Sequence, residues 1–370
     1  MNKIIKFTEV NPINNFEINQ IKKEISKTIN KGDFILGKSV KDFEEKFSRI
    51  SRARYAIGCG SGTDALILAL MSLNLKKNDE VIVPGMTYIS TGLSVILNNN
   101  KLVLTDIDNK SGLICLEELK KKNTNKTRVI IPVNLYGQRV DLKKLRKITG
   151  KKISIIEDSA QSIFAFNNND KKIFSNNLSD MSCYSFYPAK NLGAYGDAGL
   201  ITTNSITLYK KLLALRNLGS IKKNDHFLIG MNSRLDTIQS VVLRKKLSTV
   251  FRMNARRRKI AYMYDKLLKP IKEIVLTKTN TGSSRHLYVI RVKHRNKLIN
   301  FLKKRGISTQ MHYPYSLNKL KAFRNKFKKT KLKNSELCAK QCLSLPIHPN
   351  LKTKELLYIV NQIKRFFSYI

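Results

Sequence analysis

Short apolar segments alternate with longer segments of helical periodicity through the first half of this 370-residue chain. Parallel strands need crossover connections, usually helices, so this alternation predicts an α/β fold with a mostly parallel sheet flanked by helices. In such a sheet ligands bind beyond the carboxyl ends of the strands. The residues that follow each strand are therefore the candidates for a functional site. The predicted strands are Tyr55–Cys59, Glu80–Val83, Leu102–Thr105, Val129–Val133, Ile153–Ile156, Met181–Tyr184 and Gly199–Thr203.

The length of the chain exceeds what one hydrophobic core usually supports, so we expect two domains. Apolar residues at helical spacing predict helices before, between and after the strands. After residue 248 the pattern changes to a basic helix and then to further strands, such as Leu287–Val292. We expect an arm over residues 1–15, a large domain over 16–248 and a smaller α/β domain over 249–370. The main predicted helices are Phe16–Asn30, Val40–Arg49, Asp64–Leu75, Ser90–Asn98 and Arg252–Leu268.

The formal net charge of +44 raises the question of nucleic-acid binding, because lysine and arginine contacts to phosphates drive it. The lysines are spread along the whole chain together with many Asn and Ile residues, which indicates a compositional bias. No interleaved aromatic residues or nucleic-acid motif accompany the densest runs, at 256–259 and 319–333. We therefore do not expect nucleic acid as the main ligand, although the positive field would attract anionic small molecules, including sugar nucleotides.

Five scattered cysteines favour reduced thiols in a cytoplasmic protein over a disulfide framework. Cys338 and Cys342 lie four residues apart, which predicts one face of a helix, and no partner stands at zinc spacing. We expect core packing there and no metal. No apolar run reaches the roughly 20 residues that span a bilayer, and the N-terminus lacks a secretory signal, so we expect no membrane insertion.

Lys190 lies between a predicted strand and a turn that Pro188, Gly193 and Gly196 make compact. Restricted solvation there would lower the pKa of the amine and make it a nucleophile. The alternative is an ordinary turn lysine on a basic protein.

Gly60 to Thr63 connect a predicted strand to a helix that begins at Asp64. Backbone N–H groups and the helix dipole at such a position form a cradle for an anion such as phosphate. The alternative is simple helix capping by Thr63.

Tyr88 and Asp158 follow two other strands. Tyr88 could lie against a flat ligand or could pack at the edge of the core. Because side chains alternate along a strand, Glu157 and Asp158 point to opposite faces, and only one needs to reach a ligand. A carboxylate there could keep a pyridine nitrogen protonated, and Gln161 could reach the same ring. The alternative is an acid at a surface turn.

These features together describe a site for pyridoxal 5′-phosphate (PLP), with a phosphate cradle, an aromatic ring, an acid and a constrained lysine at strand ends. The chain also resembles the DegT/DnrJ/EryC1/StrS family of sugar aminotransferases over nearly its whole length. The resemblance implies the PLP-dependent transferase fold of type I. It rests on the segments GCGSGTDALILAL, DEVIVPGMTYISTGLSVI, IPVNLYGQRVDL, IIEDSAQS, SFYPAKNLGAYGDAG, GMNSRLDTIQSVVLRKKL, MHYPYSL and LSLPIHPNL.

The resemblance implies a role for each matching residue. Lys190 would hold the cofactor covalently and then move the proton, and Asp158 would bind the pyridine nitrogen. A homodimer with shared active sites is implied as well. The other implied contacts are Gln161 to the ring hydroxyl, Tyr88 to the ring face, Gly62, Thr63 and Ser185 to the phosphate, Asn232 from the neighbouring subunit to the phosphate, and Arg234, His312 and Tyr313 to the substrates.

The implied reaction moves an amino group from an amino acid, L-glutamate, to a keto group of a nucleotide-linked sugar for polysaccharide or lipopolysaccharide synthesis. Relatives with histidine in place of the lysine dehydrate their substrates, so Lys190 favours transamination, and its turn resembles members that act at sugar carbon 3. A PLP-binding regulator and an enzyme of the same fold with another substrate stay open as alternatives. Ser61, Ala198 and Met231 depart from the common pattern of the family.

Overall fold

The large sheet has seven strands in the order β1-β7-β6-β5-β4-β2-β3. The computed structural model describes residues 4–10, 14–166, 178–222 and 224–368. Strands β2, β3, β4, β5 and β6 are parallel to one another, whereas β7 runs antiparallel to both of its neighbours, β6 and β1. The predicted α/β class and mostly parallel sheet are therefore confirmed. The strands are β1 (Tyr55–Cys59), β2 (Glu80–Pro84), β3 (Lys101–Thr105), β4 (Thr127–Ile130), β5 (Ser154–Asp158), β6 (Met181–Ser185) and β7 (Gly199–Thr203).

Helices cover this sheet and continue beyond it. Their apolar residues, such as Leu68 and Val95, are fully buried against the strands, which explains the helical spacing seen in the sequence. The first helix begins with a capping box between Asn14 and Glu17. The helices are α1 (Asn15–Lys31), α2 (Lys38–Ser51), α3 (Gly62–Met71), α4 (Ile89–Leu97), α5 (Leu116–Lys122), α6 (Leu142–Thr149), α7 (Ile206–Leu215), α8 (Thr237–Lys246), α9 (Val250–Leu268), α10 (Arg295–Lys303), α11 (Lys333–Gln341) and α12 (Thr353–Phe367).

One strand of the large sheet and one helix that packs on this sheet end earlier than the sequence predicts. Strand β4 ends at Ile130. The Ile131 N–H still donates to the Ile82 carbonyl, but Pro132 has no N–H group to donate, and Val133 keeps only an isolated bridge to Asp158. Helix α3 ends at Met71, and shortly beyond it Asn74 takes a left-handed backbone conformation with φ of 51° that a helix cannot include. Val133 and Leu75 consequently lie outside the elements predicted for them.

A second, three-stranded sheet is formed later in the chain. It is antiparallel and has the order β10-β9-β8. Helices α9, α10 and α12 contribute to a hydrophobic cluster of their own with this sheet. The helix predicted through Cys342 is wrong, because α11 ends at Gln341 and Cys342 begins a strand; both cysteines of the pair are buried and free. The strands are β8 (Val275–Leu276), β9 (Tyr288–Arg291) and β10 (Cys342–Leu345).

We propose that the chain divides as predicted, at residues 15 and 248. The separate hydrophobic clusters of the two sheets and the short break between α8 and α9 support this division. Residues 4–10 contact the smaller sheet region, where Ile5 pairs in parallel with Ile307. Within the described residues, no helix is both long enough and apolar enough to cross a membrane.

Candidate active site

A cavity of about 670 Å³ opens where the carboxyl ends of β1, β2, β5 and β6 meet the smaller sheet region. Its size is in the range of small-molecule and cofactor sites. Nine of the eleven predicted site residues line it, whereas Asn232 and Arg234 do not. The nine are Gly62, Thr63, Tyr88, Asp158, Gln161, Ser185, Lys190, His312 and Tyr313.

The N-terminus of α3 opens into this cavity. Ser61 is the cap of the helix, since its Oγ accepts from the Asp64 N–H at 3.1 Å, so the alternative of a Thr63 cap is wrong. The carbonyl of Ser61 accepts from the Ala65 N–H. The N–H groups of Gly62 and Thr63 therefore have no partner among the described residues. They are available to an anion, as the sequence predicts.

Only glycine fits at position 62. A Cβ atom there would lie 2.6 Å from the Cβ of Ser185, at the end of β6. This close approach brings the Ser185 side chain, the hydroxyl of Thr63 and the start of α3 to one wall of the cavity. The hydroxyls of Thr63 and Ser90 are hydrogen-bonded to each other at 2.7 Å.

Glu157 and Asp158 point to opposite faces of the sheet, as the alternation predicts. Glu157 is fully buried behind the cavity and pairs with Arg139 at 3.0 Å. Hydrogen bonds from Asn134, Ser179 and Ser182 complete its environment. Arg139 and these donors hold the pKa of the Glu157 carboxyl below its usual range despite burial. Glu157 is therefore a structural ion.

Asp158 is the carboxylate that faces the cavity. Its Oδ2 accepts from the hydroxyl of Thr91 at 2.7 Å, and Thr91 is in turn hydrogen-bonded to Thr87. Its Oδ1 accepts from the Ala160 N–H. Burial raises the pKa of this carboxyl, against the hydrogen bonds and the charge of Lys190, which lower it. Such a carboxyl is suited to share a proton with a ring nitrogen.

Lys190 lies in the compact loop that the sequence predicts. The Lys190 N–H donates to the Tyr187 carbonyl at 2.8 Å, and Gly193 passes so close to the Pro188 carbonyl that no side chain would fit. No described side chain hydrogen-bonds to the amine. Burial lowers the pKa of Lys190 to about 8, and the charge of Asp158 opposes this shift. The loop therefore holds a nucleophilic amine in the cavity.

Two tyrosines and an amide form the wall beside these groups. Gln161 accepts from the Tyr136 N–H through Oε1 and donates through Nε2 to the Tyr313 hydroxyl at 2.8 Å. The ring of Tyr313 lies 5.7 Å from that of Tyr88, which caps α4 and is 57% exposed. Tyr88 is thus free to cover a flat ligand, whereas Gln161 also fixes Tyr313.

Two residues that the sequence analysis did not single out also contact the site region. His286 lines the cavity and bonds to Asn191, which directly follows Lys190. Thr91 holds Asp158, and its place one helical turn after Thr87 was the signal that could have revealed it.

His312 stacks on Phe7 at 5.7 Å and contacts Ser344, and burial lowers its pKa to about 4.

Asn232 and Arg234 lie outside the cavity of this chain. Asn232 is exposed and pairs with Asn217 in an isolated bridge. Arg234 is half-buried and donates to the Asn217 side chain at 3.2 Å. Neither residue is brought to the cavity of its own chain.

The residues present fit PLP. The N–H groups of α3 that the described residues leave unpartnered suit its phosphate, and Asp158 suits its ring nitrogen. The amine of Lys190 has no hydrogen-bond partner among the same residues. The fold and this site together define the class of PLP-dependent transferases, as the sequence predicts.

The chain belongs to the DegT/DnrJ/EryC1/StrS aminotransferase family, whose model matches residues 15–364. This match confirms the resemblance stated above. A pleiotropic regulatory protein of Geobacillus stearothermophilus is 37% identical over 95% of this chain and 96% of its own length. The UDP-2-acetamido-2-deoxy-3-oxo-D-glucuronate aminotransferase of Pseudomonas aeruginosa is 37% identical over 90% and 92%. The crystal structure of S. venezuelae DesV with a ketimine intermediate is 31% identical, covers 99% of both chains and has a TM-score of 0.94.

Proposed function

We propose that this protein is a PLP-dependent aminotransferase that moves the amino group of L-glutamate to a keto group of a nucleotide-linked sugar. The observation that carries the proposal is one cavity in which an amine of lowered pKa and a buried carboxylate lie beside the open N-terminus of a helix. The similarity to the P. aeruginosa UDP-sugar aminotransferase supports a sugar acceptor and action at carbon 3.

Each residue has a defined task in this reaction. Gly62, Thr63 and Ser185 bind the cofactor phosphate, Tyr88 covers the ring and Asp158 keeps the ring nitrogen protonated. Bound PLP supplies an electron sink that makes the donor α-carbon acidic. Lys190 takes the proton from that carbon and returns it on the other side of the amino nitrogen.

The second substrate reverses these proton movements. Lys190 removes the proton that it delivered and returns it to the sugar carbon that held the keto oxygen. His312 and Tyr313, on the wall opposite the large sheet, contact the sugar, and Arg234 of a second subunit contacts an anionic group. Products of this kind serve cytoplasmic pathways to cell-surface polysaccharide, lipopolysaccharide and O-antigen.

We further propose a homodimer in which each subunit supplies Asn232 to the cofactor phosphate of the other. The exposure of Asn232 and its position outside the cavity of its own chain support this arrangement. The segment around it also exposes large apolar side chains, among them Phe227 and Ile229.

The visible spectrum of the protein with PLP tests the function. We expect an absorption band of the lysine-linked cofactor that L-glutamate bleaches and that Lys190→Ala does not form. A panel of UDP- and dTDP-linked 3-keto and 4-keto sugars is then screened for return of the band. If no band forms in the wild type, the cofactor assignment is wrong.

A second candidate function is favoured by the similarity to the pleiotropic regulatory protein of G. stearothermophilus. A PLP-binding regulator would form the band, but neither L-glutamate nor another amino acid would bleach it. The same spectra therefore separate the two functions. A bleached band that none of the sugars restores would instead indicate an enzyme with another acceptor.

A further inference from the structure

His286 is a cavity-lining residue without a role in the reaction described so far. It directly precedes the buried Leu287 and Tyr288 in the smaller sheet region, and only 9% of its surface is exposed. Its ring nevertheless reaches the cavity that holds Lys190. What this imidazole can do there depends on which of its nitrogen atoms carries the proton.

Asn191 determines that tautomer. Both N–H bonds of its amide are used, since Nδ2 donates to Asn254 Oδ1 at 2.7 Å and to the Ser284 carbonyl at 2.9 Å. Asn254 is fixed in turn by donating to the Ile163 carbonyl. Only Oδ1 of Asn191 can therefore face Nδ1 of His286, 3.0 Å away, and Oδ1 is an acceptor. Nδ1 must carry the proton.

The other ring nitrogen, Nε2, is then a lone-pair acceptor. It has no hydrogen-bond partner among the described residues. It is also not fully shielded from solvent. Because His286 lines the cavity and its Nδ1 is taken by Asn191, Nε2 is the ring nitrogen left to bind a ligand there. Burial lowers the pKa of His286 well below 6.5, and the charges of Lys190 and Arg257 lower it further, so the ring stays neutral.

A neutral acceptor selects its ligand by chemistry. It binds O–H or N–H groups and offers nothing to a carboxylate. Of the two substrates in the proposed reaction, the sugar has free hydroxyl groups, whereas both side groups of L-glutamate beyond the amine are carboxylates. His286 is bonded to the residue next to Lys190, and the charge of Lys190 acts on its ring, so it lies near the amine that the proposed reaction uses.

We propose that His286 is a specificity-determining residue that binds, through Nε2, a hydroxyl group of the sugar close to the reacting carbon. This proposal rests on the proposed function. A site built to bind a hydroxyl group discriminates strongly against an analogue that lacks it, because the buried acceptor is then left unpaired.

Two substitutions at His286 distinguish the role of Nδ1 from the role of Nε2. In His286→Asn the short amide can still donate to Asn191 but cannot replace Nε2. In His286→Gln the longer side chain can place Oε1 near the position of Nε2. We expect His286→Asn to lower kcat/KM of the sugar half-reaction about 10- to 100-fold, the loss of one hydrogen bond to a buried acceptor. The half-reaction with L-glutamate should change less than about twofold, and His286→Gln should recover most of the loss.

Deoxy analogues of the sugar that restores the band allow a double-mutant-type cycle, in which one change is made in the protein and the other in the substrate. The wild type should lose the same factor with the analogue that lacks the contacted hydroxyl, and His286→Asn should lose nothing further with it. Equal losses in both half-reactions would overturn the proposal in favour of a role in holding the Lys190 loop. An unchanged sugar half-reaction would also overturn it.

Nitrogen NMR of the apo-protein gives a readout independent of activity. The chain has five histidines, and the spectrum of the variant identifies the signals of His286. We expect the Nδ1–H tautomer and a ring that stays neutral at pH 6.5 and above, because burial lowers its pKa. A proton on Nε2 overturns the proposal. Failure of the proposed function would instead appear as a wild-type band that L-glutamate does not bleach.

Discussion

Burial distinguishes Lys190 from the exposed lysines of this chain. With a pKa of about 8, roughly one Lys190 amine in ten is neutral at pH 7. A lysine with the ordinary pKa of about 10.4 has fewer than about one neutral amine in a thousand at that pH. Burial in the loop therefore raises the fraction of neutral, nucleophilic amine by more than about a hundredfold, although the charge of Asp158 opposes this shift.

The rate at which the apo-protein takes up PLP should follow this titration. We expect the rate to rise from about pH 6.5, to pass its midpoint near 8 and to level off above about 9, as measured by stopped-flow absorbance. Asp158→Asn removes the charge that favours the ammonium form, so its midpoint should lie at lower pH. A rate that still rises steeply at pH 10 would show that the amine is not shifted.

The neighbouring acids Glu157 and Asp158 should respond to neutralisation in opposite ways. Asp158→Asn should lower the rate of the half-reaction with L-glutamate about 10- to 100-fold, because the ring nitrogen loses a charge-assisted partner. The thermal stability of this variant should change little. Glu157→Gln should lower the free energy of unfolding by about 3 kcal/mol, because it leaves Arg139 buried without its counter-ion. Spectra and denaturant unfolding of both variants give the comparison; an equally destabilised pair would contradict the assignment of the two faces.

At the scale of elements, the site depends on how closely α3 approaches β6. Gly62→Ala would place a Cβ atom against Ser185 and separate the two elements. We expect about 1–3 kcal/mol of lost stability and weaker binding of PLP, because the phosphate cradle is displaced. Gly196→Ala is the matched control, since its Cβ would meet only the flexible end of Gln239, at 3.0 Å. Fluorescence titration measures the affinity of both variants for PLP. Equal affinities of Gly62→Ala and Gly196→Ala would argue against the phosphate cradle.

The sequence predicts the strand ends of this site well and the smaller sheet region poorly. Thr63, Tyr88 and Lys190 follow β1, β2 and β6, and Asp158 ends β5. The carboxyl ends of these four strands lie at one edge of the sheet, which brings the four residues together. His286 has no such signal, because its place in the wall depends on packing between the two sheet regions. The end of β4 at Ile130 shows the same limit on a small scale, since the apolar run continues to Val133 whereas the regular ladder is interrupted at Pro132 and only an isolated bridge follows.

For the whole molecule, the proposed dimer predicts that two inactive variants restore one another. In a mixed dimer of Lys190→Ala and Asn232→Asp, one of the two sites would have both Lys190 and Asn232 intact. Random reassembly of the subunits should therefore recover about a quarter of wild-type activity, because half of the dimers are mixed and each has one complete site.

The two parent variants, refolded separately, are the controls for this recovery. Asn232→Asp on its own should bind PLP weakly, because its carboxylate would face the phosphate. A mixture without activity would show that each site is built from a single chain.

The net charge of +44 has no explanation in the site described here.

The order of strands in the large sheet also bears on how the protein is made. Strand β1 is the first strand of this sheet to leave the ribosome, yet it pairs only with β7, the last one, in the described sheet. The nascent chain must therefore hold an unpaired apolar strand while five others are synthesised. The phosphate cradle follows β1 directly, so it reaches its final place in the sheet only after β7 has been synthesised.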